Sequence, residues 1–116
     1  GHIMKPEGGA RALYSYLDHM SRINARIRFM SIEPLWFDVA PVLQKWLNSH
    51  DSLPFEWVII GAASDGRKIF QPEPKWVQDL LDLFDEQHIP IFFKGNLEWS
   101  DWRDEFPKLP NLLETR

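Results

Sequence analysis

A parallel α/β architecture, with three strands alternating with helices, is what this sequence predicts. Three observations point there. Three short runs, Arg26 to Ile32, Trp57 to Ile60 and Ile89 to Phe93, are rich in Ile, Phe and Val, residues that suit a pleated surface. Around them lie stretches whose apolar residues recur at helical spacing. Each run also gives way to polar or glycine positions, the pattern by which parallel α/β folds expose reactive side chains at one rim.

The elements follow in order. Leu13, Tyr16, Leu17, Met20 and Ile23 place an amphipathic helix over Ala10 to Asn24, and the first strand follows it. Pro41 suits the first turn of a second, short helix, with Val42, Leu43, Trp46 and Leu47 on one stripe and Asn48 to Asp51 ending it. Trp57 to Ile60 is continuously apolar, which predicts a strand covered by helices on both faces, with Trp57 buried. Pro72 and Pro74 lead into the strongest helix, where Trp76, Val77, Leu80, Leu81 and Phe84 share a face and Asp79, Asp82, Asp85 and Glu86 face outwards. The third strand carries Phe92, also expected to be buried. Trp99, Trp102 and Phe106 then predict a last short helix before Pro107 and Pro110.

Length and composition allow one domain. The 116 residues are 44% apolar and 14% aromatic, with six Trp, ample material for a core and unlike a disordered tail. Gly1 to Met4 reads as the remnant of an expression tag, leaving residues 5–116 as a single α/β domain or the C-terminal fragment of a larger barrel. The net charge is −4, and the 13 Lys and Arg are scattered among 17 acids, so no basic stripe follows a phosphate backbone and direct nucleic-acid binding is not expected. With no Cys there is no disulfide, thiolate metal site or thiol nucleophile. His19, His50 and His88 share no ligand spacing, so no metal site is expected. No membrane-length apolar run and no signal peptide are visible, and the expected location is the cytoplasm.

The candidate site lies at the strand ends. Ser31 and Glu33, two apart on a strand, point the same way and suit ribose hydroxyls or a cationic group. Gly61 permits close approach of backbone to a ligand or simply makes a turn. Ser64 and Asp65 occupy the Gly-flanked loop that follows, a ligand loop or a plain turn. Lys94 sits at the mouth of a buried strand, where a charge is costly unless paired or used, and an ion pair with Glu33 is the structural alternative to ligand contact. Asn96 completes the set. No Ser nucleophile elbow or Ser-His-acid order supports a hydrolase.

Ile27-Arg-Phe-Met-Ser31-Ile-Glu33-Pro34-Leu35, Trp57-Val-Ile-Ile-Gly61, Trp76-Val77 with Leu80, and Ile89-Pro90-Ile-Phe92-Phe93-Lys94 together resemble the C-terminal half of a family of phage- and prokaryote-encoded proteins. Those proteins are themselves similar to radical S-adenosylmethionine (radical SAM) enzymes, and their reaction is not established. The resemblance spans about Arg11 to Pro107 and implies part of a TIM-type barrel. It also implies S-adenosylmethionine and a [4Fe-4S] cluster in the intact protein, the cluster held by a C-x-x-x-C-x-x-C motif far upstream. This chain lacks that motif, so no cofactor is expected in it alone. Ala63 stands where the family usually carries Glu or Gln. The resemblance implies a pocket wall for cofactor or substrate that is not catalytic alone, with the remainder of its own barrel as partner. The other reading is a stand-alone α/β module that binds a ligand or a protein and pairs with a second copy through its sheet edges.

Overall fold

The computed structural model describes residues 9–64 and 69–107. Helix α1 (Gly9–Met20) leads to strand β1 (Phe29–Ile32), helix α2 (Ala40–Leu47) and strand β2 (Trp57–Ile60). A two-stranded hairpin, β3 (Ala63–Ser64) and β4 (Ile69–Phe70), precedes helix α3 (Pro74–Glu86) and strand β5 (Ile91–Phe93). The main sheet is parallel throughout, in the order β1-β2-β5. The predicted α/β class with parallel strands alternating with helices is therefore the one observed, as an open sheet.

Two expectations are corrected. The helices cover one face of the sheet, not both. Met30, Ile32, Val58, Ile60, Ile91 and Phe93 are buried against Leu17, Leu43, Trp46, Leu80 and Phe84 of the helix layer. Trp57, Ile59 and Phe92 alternate with them and are half-buried on the opposite face, where Phe29 is 48% exposed. A run of apolar residues cannot distinguish a strand covered twice from one whose second face awaits a partner. The second correction concerns Trp99 to Phe106. In place of a helix, Trp102 to Phe106 form an extended strap, whose Asp104 bridges Phe92 in the antiparallel sense.

The strap takes up the outer edge of β5. Phe93 N donates to Arg103 O (2.8 Å), Glu105 N to Ile91 O (2.9 Å), and Ile91 N to Glu105 Oε1 (2.9 Å). Trp57 Nε1 reaches Glu105 O at 2.8 Å, and Phe106 packs on Trp57 and Phe92 with ring centroids 5.8 and 5.5 Å apart. Arg103 ties the strap to α3 through two 2.8 Å hydrogen bonds to Asp85. Paired backbone at an otherwise bare edge outweighs the helical spacing of its aromatics. Arg28 does similar work at the other end of the sheet. Its guanidinium and backbone N–H hold Glu56 with two contacts of 2.7 Å, fixing β1 to the start of β2.

Helix ends set the loop lengths. Pro41 and Pro74 sit in the first turns of α2 and α3, where a missing N–H is harmless. α3 closes with His88 at φ 59°, His88 N bonded to Asp85 O (3.1 Å) and Ile89 N to Phe84 O (2.8 Å), the six-to-one and five-to-two pattern of a Schellman motif. α1 stops at Met20, short of Asn24, with Ser21 Oγ donating to Asp18 O at 2.6 Å.

Candidate functional site

The side chains of the uncovered face are stacked in layers by strand register. Phe29 lies beside Trp57 in the lowest layer, and Ser31, Ile59 and Phe92 align in the next. Two residues further, where the strands have ended, Glu33, Gly61 and Lys94 continue the same rows. Leu35 N to Gly61 O (3.0 Å), Gly61 N to Ile32 O (3.1 Å) and Lys94 N to Ile60 O (2.9 Å) carry the ladder that far. The face is thus aromatic below and polar at the C-terminal rim.

At the rim, Ser31 Oγ donates to Glu33 Oε2, and Lys94 Nζ lies 3.6 Å from Glu33 Oε1. The second contact is an ion pair longer than a hydrogen bond. With the Lys94 and Glu33 side chains 53% and 33% exposed, it contributes only about 0–1 kcal/mol to stability. Gly61 lies between them. A Cβ there would sit 3.1 Å from Glu33 Cγ and 3.3 Å from Lys94 Cβ, tighter than ordinary contact, so the bare glycine leaves room for the two side chains to close over the middle strand. The arrangement gathers a carboxylate, an ammonium and a hydroxyl at the rim, with Glu33 in contact with both of the others.

The other predicted residues fall elsewhere. Asn96 spends both ends of its amide on Ala62, accepting from its N–H (3.2 Å) and donating to its C=O (2.6 Å). It thereby fastens the loop after β5 to the segment after β2. Ser64 is in β3, paired in register with Ile69. Asp65 lies outside the described residues. Ala63 is buried and paired with Phe70.

Gln71 was not singled out from sequence. Its Nε2 donates to Asn96 O (2.9 Å) and its Oε1 accepts from Glu98 N (2.8 Å), so the loop that follows Lys94 is held from both sides. No local signal marks it, because the bonds cross between distant segments. Among the described residues no group of three or more His, Cys, Asp or Glu gathers as a metal ion would require, and no helix is long and apolar enough to cross a membrane.

An open parallel sheet roofed by helices on one side, with charged and hydroxyl side chains at its C-terminal rim, defines an α/β domain with a strand-end site. The chain belongs to a family described as protein of unknown function, DUF5131, whose model matches residues 9–109. No curated protein and no solved structure matches it.

Proposed function

We propose that this chain is the C-terminal portion of a radical-SAM-like barrel protein, contributing a pocket wall for cofactor or substrate and inactive alone. The observation that carries the reading is the layered, helix-free face, polar at the strand C-termini and apolar beneath. That is how the inner face of an α/β barrel is organised, and active groups there come from strand ends. Ser31, Glu33 and Lys94 are the contacts to ligand, and Gly61 keeps the floor of the rim low. Asn96 acts on the site through Ala62.

The implied cofactors fit unequally. A [4Fe-4S] cluster needs thiolates, and a chain with no Cys cannot hold one. The carboxylate, ammonium and hydroxyl at the rim do match the hydroxyl, amino and carboxylate groups of S-adenosylmethionine. Their part is binding and orientation, with Glu33 and Ser31 accepting or sharing hydrogen bonds and Lys94 donating them.

The competing reading, a self-associating binding module, has the outer edge of β1 to use, because the strap occupies that of β5. Titration of the natural-length protein with S-adenosylmethionine separates these ideas. Lys94→Met and Glu33→Gln each weaken binding at least about tenfold, the loss of one charge-assisted hydrogen bond, while the melting temperature holds. Equal affinity in both variants rejects the site.

A further inference from the structure

Among the described residues, β1 is an edge strand of the parallel sheet. Arg28 O and Ile32 O accept hydrogen bonds from Glu56 N and Gly61 N on the β2 side. Backbone groups alternate in direction along a strand, so the N–H and C=O of Phe29 and Ser31 point the other way. Among the described residues no strand lies there. Phe29, at the start of this edge, is 48% exposed.

The helix layer says what belongs beside it. α2 lies between α1 and α3. α2 and α3 are the crossovers that join β1 to β2 and β2 to β5. Parallel strand–helix–strand connections are right-handed, so α1 stands where the crossover from a strand beyond β1 would run. We infer that the partner of this edge is a parallel strand supplied by the stretch of natural chain that runs into α1. It bonds to the backbone of Phe29 and Ser31 and extends the uncovered face by one row. A second copy does not fit: a two-fold mate paired on β1 would run antiparallel and bring its own α1 over the same strip.

This inference rests on the reading of the chain as part of a larger barrel, but it is tested without any cofactor. Amide hydrogen exchange is measured for Phe29 and Ser31 in this chain and in the chain extended at its N-terminus with its natural sequence. In this chain both amides exchange quickly at every protein concentration. In the extended chain they slow by roughly 100-fold or more, as for amides at the centre of a sheet. Fast exchange in both forms overturns the proposal, as does a natural chain that starts at α1. Concentration-dependent protection in this chain alone assigns the edge to a second copy and overturns it too. Iron content and S-adenosylmethionine affinity of the natural-length protein report separately on the barrel enzyme, so the strand can fail while that reading stands.

Discussion

Glu33 and Lys94 meet over Gly61 because parallel strands in register deliver every second residue to the same row. That much was legible in sequence: strand ends, a spacing of two and a glycine between apolar and polar segments mark Ser31, Glu33, Gly61 and Lys94, and a charge at each of two strand ends makes a Glu33–Lys94 ion pair an expected contact. The role of Asn96 was not legible, because its Ala62 partner is brought near only by the fold. Two expectations follow. Gly61→Ala puts a methyl 3.1 Å from Glu33 Cγ and 3.3 Å from Lys94 Cβ, so these partly exposed side chains shift by a few tenths of an ångström, read as weaker ligand binding in a titration. Asn96→Ala leaves the N–H and C=O of buried Ala62 without their side-chain partner and costs about 1–3 kcal/mol, read as a lower unfolding midpoint in denaturant. An unchanged midpoint in the Asn96 variant, or unchanged affinity in the Gly61 variant, would contradict the geometry of the rim.

Elements were read from sequence as well as their local signals allowed. Pro41 and Pro74 marked two helix starts, and Trp57 to Ile60 appeared at its predicted bounds. The hairpin β3–β4 was missed, since two-residue strands carry no periodicity. The strap was misread as helical because Trp99, Trp102 and Phe106 have helical spacing, while the bare edge of β5 that competes for them is visible only in three dimensions. At the end of α3 a non-glycine residue holds a left-handed conformation. His88→Gly therefore stabilises by about 1 kcal/mol, measured as a rise in melting temperature. The two sheet faces give a paired test: Phe93→Ala, on the helix side, costs about 3–5 kcal/mol, and Phe92→Ala on the uncovered side roughly half that. Equal losses would mean that both faces are covered.

Across the whole molecule, two ion pairs fasten the sheet to its surroundings and set its acid sensitivity. Partial burial acts to raise the pKa of Glu56, but the hydrogen bonds and charge of Arg28 outweigh it and hold the carboxyl below its ordinary 4.5. Asp85 is held below its ordinary 3.8, chiefly by its hydrogen bonds from Arg103. Groups with lowered folded pKa values contribute fully above their unfolded values and lose that contribution as pH falls through the folded ones. Stability should therefore decline as pH drops below 4.5, with both pairs intact at neutrality. Arg28→Met should flatten the Glu56 part of the decline in a pH series of unfolding midpoints. The one-sided helix layer is the largest feature that sequence did not show, since apolar residues line both faces of the strands, and it is the feature on which the barrel reading depends.

Adjacent isoleucines on β2 allow that reading to be tested directly. Ile59 lies on the uncovered face between Ser31 and Phe92, whereas Ile60 is buried beneath the helices. Isoleucine methyl spectra of the natural-length protein, recorded during titration with S-adenosylmethionine, should show the Ile59 methyl shifting and that of Ile60 nearly still. Shifts confined to Ile60, or none at either residue at saturating ligand, would contradict the assignment of this face as a pocket wall.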